Sequence, residues 1–279
     1  MSRKPADLFY RFAKSPSQSV SDEPEINFVV IRKQFNFRSI QIGNWVTQAE
    51  QKKAAYSFYA ALNTLMRILQ APESLISLRG SLSLQYGKGG RPGVAAHYSP
   101  RERCFALAKN AGPGSIAHEW FHALDHYLGS QAFLSLPKFD SSLNYQSGCL
   151  FASKAWLLDA AIRQHPLNDL LSNCFKAILL DESGQAASQL VQNANLIDKK
   201  LNQLYYSLPE ELCARAFEAY VEDAGITDAS LANSFLVKGS LYSKEAELGL
   251  YPKGEQRQNI NLAFNEYFKM LGAYLNSGL

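Results

Sequence analysis

The chain has 279 residues, 47% of them hydrophobic and 19% charged, enough apolar content for one large domain or two small ones. Its net charge of +3 is too small to argue by itself for nucleic acid as a partner. No apolar run approaches the roughly 20 residues of a membrane span, which argues against a membrane partner.

Residues 1–26 are polar and carry Pro16, Pro24 and several serines. They are expected to form a flexible arm, with a short helix around Leu8 to Phe12. Met1 to Asp7 holds no continuous apolar core, so no secretory leader is expected there. Cys104, Cys149, Cys174 and Cys213 stand far apart with no Cys-x-x-Cys. They read as reduced, buried thiols of a cytoplasmic protein.

Residues 27–33, rich in β-branched side chains, predict a strand. Thr47 to Leu69 predicts a helix: Thr47 and Glu50 have capping-box spacing, Ala54, Phe58, Leu62, Leu65 and Leu69 recur at helical period, and Pro72 closes it. Ser81 to Tyr86 alternates strictly, the pattern of a half-exposed strand. The glycine-rich stretch 87–93 lacks both a Gly-Lys-Ser/Thr ending and a following helix. It therefore reads as a connection and not a phosphate cradle. Residues 95–98 and 103–109 predict two short strands around the turn at Ser99-Pro100. Ser115 then caps a helix that Gly129 is expected to stop. After an irregular loop, residues up to 206 read as mostly helical, and Asn259 to Tyr274 forms a final helix with a core-facing stripe.

The chemistry concentrates in the helix after Ser115. His118-Glu119-Trp120-Phe121-His122 reads as H-E-x-x-H. Residues four apart share one helix face, so the two imidazoles can meet a single Zn²⁺. Glu119 lies beside them, positioned to take a proton from a metal-activated water. A catalytic zinc usually has three protein ligands. His126 is eight residues beyond His118, about 12 Å along a helix, too far for metal–nitrogen bonds of about 2 Å. Leu128 occupies the place of a third histidine ten residues on. His97 and His165 have no supporting pattern. The best segment is 207–223, where Ser207 and Glu210 have capping-box spacing and Glu211 is left free. Glu211, Arg215, Glu218 and Glu222 also share a face, for which a solvated, salt-bridged stripe is the alternative reading. Spacing alone leaves Glu211 and Glu218 open as third ligand.

The segment from His118 through Asp125 to Tyr127 resembles the active-site helix of gluzincin metallopeptidases. Residues 211–217 resemble that group's second signature, in which the first glutamate is the third zinc ligand. The match falls on Glu211 and departs at Arg215, where that signature has an acid. The segments 36–47, 80–87, 95–98, 114–120, 214–220 and 251–255, in this order, also resemble the large polyvalent protein-associated domain of phage and conjugative-element proteins, and more closely the CLCA_X family of bacterial proteins. The resemblance spans most of 35–135 and 205–270 and implies a zincin-like fold without a defined substrate.

The expectation is a single α+β zincin-like domain over 27–279, mainly helical with a small mixed sheet and a helical insertion at 136–204. The strand around Leu82 to Tyr86 or Phe105 to Lys109 is expected to form the edge above the cleft, where an extended peptide could add as a strand. His118, His122 and Glu211 would hold Zn²⁺, with Glu119 as general base. Asp125 reads equally as an acid that orients a ligand and as a helix-surface acid, and Tyr205, Tyr206 and Tyr251 are candidates to support the oxyanion. The partner would be a peptide or protein substrate. The competing class is a non-catalytic zinc-binding, DNA- or protein-associated module of mobile-element origin, and a decayed enzyme that folds without metal is a third.

Overall fold

A computed structural model describes residues 25–88, 96–109, 114–134 and 150–277. Most of the predicted N-terminal arm, the centre of the glycine-rich stretch, the loop after Leu134 and Cys149 lie outside the described residues. The chain runs α1 Phe28–Gln34, β1 Ser39–Ile42, α2 Gln48–Ile68, α3 Glu73–Ile76, β2 Ser83–Tyr86, β3 Ala96–Ser99, β4 Cys104–Leu107, α4 Ile116–Ala132, α5 Ala152–Leu157, α6 Pro166–Leu179, α7 Gln189–Leu201, α8 Pro209–Thr227, α9 Lys244–Glu247 and α10 Gly254–Asn276. The architecture is α+β, mainly helical, with one small mixed sheet.

The strand expected at 27–33 is helix α1 instead. Asn27 Oδ1 accepts from the backbone N–H groups of Val29 and Val30 at 2.9 and 3.0 Å. That cap satisfies two otherwise unpaired donors and outweighs the strand preference of the β-branched run. Phe28, Ile31 and Phe35 then fall on one helical face and are all buried, while Val29 is exposed. In α2 the predicted capping box is present: Glu50 Oε2 accepts from Thr47 N at 2.9 Å and Thr47 Oγ1 accepts from Glu50 N at 3.4 Å. The buried face of α2 includes Ala54, Phe58, Leu62 and Leu65.

The sheet order is β1-β2-β4-β3, with the first three strands parallel and β3 antiparallel to β4. Neither strand expected at the edge above the cleft lies there. β2 and β4 are central; the outer strands are β1, beside β2, and β3, beside β4. Periodicity identifies strands but not their lateral order, which long-range pairing decides. Ile40, Ile42, Leu84, Tyr86, Phe105 and Leu107 join the hydrophobic core, while Ser39, Gln41, Ser83 and Gln85 alternate with them.

α4 crosses the centre of the core. Trp120 is fully buried and its Nε1–H donates to the Ile76 carbonyl at 3.0 Å. The Phe217 ring of α8 lies 5.5 Å from Trp120 and 5.0 Å from Phe121, and Phe264 of α10 lies 5.8 Å from Phe121. These tilted and edge-on aromatic contacts hold α8 beside α4 and α10 behind both. The Ser115 side chain makes no cap bond; the helix start is met by the 235–236 segment, whose Leu236 carbonyl accepts from Ala117 N at 3.0 Å. Nor does Gly129 stop the helix, which continues to Ala132. A Cβ at 129 would stand 2.0 Å from the Leu150 carbonyl oxygen. The glycine is there for close approach of two backbones and not for a turn.

Residues 150–201 carry α5, α6 and α7, as the helical reading expected. Cys104, Cys174 and Cys213 are buried free thiols. Among the described residues no helix is long and apolar enough to cross a membrane.

Candidate metal centre

α4 and α8 pack against each other, and both present charged side chains to the contact. His118 and His122 lie one turn apart on α4, with their Nε2 atoms 3.0 Å apart. Glu211 comes from the first turn of α8. Its Oε2 is 3.4 Å from His118 Nε2 and its Oε1 is 3.3 Å from His122 Nε2. Three atoms at about 2.0–2.1 Å from one tetrahedral ion would be about 3.3 Å from each other. The donor set therefore fits zinc in chemistry and in spacing. Among the described residues this is the group of histidines and acids close enough to share a metal. Of the two candidates that spacing left open, Glu211 reaches both histidines.

Glu218 sits two turns further along α8 and takes another part. Its Oε2 lies 3.1 Å from His118 Nδ1 and also accepts from the Tyr251 hydroxyl at 3.0 Å. A carboxylate on the far nitrogen fixes the ring's orientation and leaves Nε2 to face the centre. In the metal-free protein burial lowers the His118 pKa, but Glu218 and Glu211 together overcome it and raise it to about 10. The Glu211 carboxyl is pulled well below its ordinary range against burial, chiefly by the two histidines.

Glu119 is buried beside the same site, within electrostatic reach of His118, His122 and Glu211. Burial raises its pKa, opposed by His118 and His122. A buried carboxylate with no side-chain role in holding the helix is suited to carry a proton.

The alternative reading of this face of α8, a solvated stripe, does not hold. Glu211, Arg215 and Glu218 are all buried. The Arg215 Nη2 donates to Glu211 Oε2 at 3.1 Å and Nη1 to the Tyr206 carbonyl at 3.3 Å. Its guanidinium lies over the rings of Tyr206 and Tyr205, 4.9 and 5.4 Å from their centroids. At position 215 this chain has a cation that braces the Glu211 carboxylate. The i,i+4 spacing of Glu211 and Arg215 was the available signal, since the sequence does not tell a buried pair from a solvated one.

The tyrosines separate. Tyr251 is committed to Glu218, and Tyr206 to Arg215. Tyr205 stays partly exposed beside Glu211, and burial and then that carboxylate push its hydroxyl pKa up. The turn carrying it is organised by Asp198, which accepts from the backbone N–H groups of Tyr205, Tyr206 and Ser207 at 3.1, 3.0 and 2.8 Å. The Ser207 hydroxyl also donates to Asp198, at 2.6 Å. The capping box expected at Ser207 and Glu210 is thus absent. α8 has Leu208 at its cap position, and Glu210 is buried.

Asp125 does not orient a histidine. It is 1% exposed and accepts from Ser153 N at 2.8 Å and Ser153 Oγ at 2.6 Å, tying α4 to the start of α5. Phe151, just before α5, packs against both His122 and His126. His126 lies 2.8 Å from the Tyr98 hydroxyl, outside the donor set. His165 caps α6 by accepting from Leu167 N, and His97 stands on β3.

Residues 197–275 match the family described as Large polyvalent protein-associated domain 1. That span contains Glu211, Arg215, Glu218 and Tyr251, but neither histidine of the centre. No curated protein and no solved structure matches the chain.

Proposed function

We propose that this protein is a zincin-like zinc metallopeptidase of the gluzincin type, with His118, His122 and Glu211 as the metal ligands. The observation that carries the reading is the spacing of the three donors, 3.0, 3.4 and 3.3 Å, beside a buried glutamate. When bound there, Zn²⁺ would supply a Lewis acid and lower the pKa of a water towards about 7.

The other tasks fall to the chain's own groups. Glu119 accepts the proton of the attacking water and passes it to the leaving amine. Tyr205, the exposed tyrosine beside Glu211, is the candidate to support the oxyanion. Glu218 holds the His118 ring, and Arg215 holds the Glu211 carboxylate. β3, whose outer edge pairs with no strand among the described residues, would receive an extended peptide by strand addition. The buried free thiols favour a reducing compartment, the cytoplasm.

Purified protein should carry about one zinc per chain, and His118→Ala or Glu211→Ala should remove it. Glu119→Gln should keep the metal and abolish cleavage when proteome digests by the two forms are compared. Cleavage retained by Glu119→Gln rejects Glu119 as the base.

The match to a polyvalent protein-associated domain favours a second reading, a zinc-bearing module that binds a protein or DNA without catalysis. A salt-dependent shift of DNA, with no cleavage product in any digest, would select it. The buried carboxylate beside the donor set weighs against it, since a purely structural site needs no such group.

A further inference from the structure

The two histidines of the centre are supported unequally. His118 Nδ1 has Glu218, which is itself held by Tyr251. His122 Nδ1 is buried and has no hydrogen-bond partner. One other carboxylate at this end of α8 is in the same condition: Glu210 Oε2 is also buried without a partner. Glu210 is the residue before Glu211, whose own Oε1 stands 3.3 Å from His122 Nε2.

The surroundings of the pair are accounted for. Asp125 is occupied by Ser153, and Phe151 offers only a ring face or edge to His122. Burial raises the Glu210 pKa, opposed by its own backbone N–H, by Lys154 and by His122. The carboxylate and the imidazole therefore lie within each other's electrostatic reach.

A buried donor and a buried acceptor left unpaired each cost stability, and neighbouring ones relieve each other by pairing. The protonation state decides when. A histidine that gives Nε2 to a metal is neutral and must carry its proton on Nδ1. That N–H needs an acceptor; of the two buried acceptors without a partner among the described residues, Glu210 Oε2 and Asn261 Oδ1, only Glu210 adjoins a residue that already touches His122.

We propose that Glu210 is a positioning residue for His122: when zinc is bound, its Oε2 accepts the Nδ1–H of His122. α8 then supplies three acids to one centre, with Glu211 on the metal, Glu218 behind His118 and Glu210 behind His122. The inference rests on the reading of His118, His122 and Glu211 as a zinc site.

The test is zinc affinity, measured on the full chain by competition with a chromophoric chelator. Glu210→Met should bind zinc about 10–100-fold more weakly than wild type. Glu210→Gln, whose amide oxygen can accept the same bond, should recover most of that loss. The metal-free Glu210→Met protein should melt no lower than wild type, because the oxygen removed has no partner there. In the zinc-loaded protein, the His122 Nδ1–H proton resonance should move between wild type and Glu210→Met. A wild-type chain that takes up no zinc overturns both the site and this inference. Zinc bound equally tightly by wild type and Glu210→Met overturns the inference alone. So does an affinity loss matched by a lower melting temperature of the metal-free variant, which would make Glu210 a structural residue.

Discussion

Gly129→Ala separates two physical accounts of the same residue by sign. On helix propensity alone, alanine in the interior of α4 should stabilise the protein by about 1 kcal/mol. The structure predicts the opposite. The new Cβ would lie 2.0 Å from the Leu150 carbonyl oxygen and 3.1 Å from its carbon, roughly 1 Å or more inside contact distance. The backbone at Leu150 must retreat, at a cost of about 1–3 kcal/mol for overpacking. α5 begins two residues later, so the retreat also strains the bonds from Ser153 to Asp125, at 2.8 and 2.6 Å. Loss of those bonds from a buried carboxylate adds about 1–3 kcal/mol. After the propensity gain, the net destabilisation is about 1–5 kcal/mol. Thermal unfolding of the metal-free protein, followed by circular dichroism, should show a melting temperature several degrees below wild type. The two histidines proposed as zinc ligands lie about two turns upstream on α4 and Glu211 lies on α8, so metal content should persist at temperatures where the variant is folded. A melting temperature equal to or above that of wild type would refute the close-approach account.

Three further outcomes follow from the same geometry. Burial raises the Asp125 pKa from 3.8 to about 7, against the two bonds from Ser153. The folded state thus holds this proton to higher pH than the unfolded chain, so the group's contribution is full below about 3.8 and is lost as pH rises through about 7. Asp125→Asn should flatten the fall in melting temperature of the metal-free protein between those limits; an unchanged slope would count against it. Glu218→Ala should weaken zinc binding about 10–100-fold by freeing His118 Nδ1, and an unchanged affinity in chelator competition would remove Glu218 from the centre. Asp198→Ala leaves the N–H groups of Tyr205, Tyr206 and Ser207 without their acceptor. It should cost about 2–4 kcal/mol in denaturant unfolding, and a loss below about 1 kcal/mol would show that the turn does not depend on it.

The features legible from residue order alone are local. The His118–Glu119–His122 face, the α2 capping box and the helical stripes of α2 and α10 depend on neighbours within a turn or two, and the helical period encodes them directly. α1 is local too: the Asn27 side chain caps it, and that cap overrides the strand preference of the β-branched run. What only the tertiary structure decided is which distant groups meet. The order of the strands, the choice of Glu211 over Glu218, the burial of Arg215 and the diversion of Asp125 to Ser153 all depend on α4, α5 and α8 packing together. Spacing along one helix states which residues share a face, but the partner that face meets is set by burial of the aromatic seam around Phe217, and that is a property of the whole core.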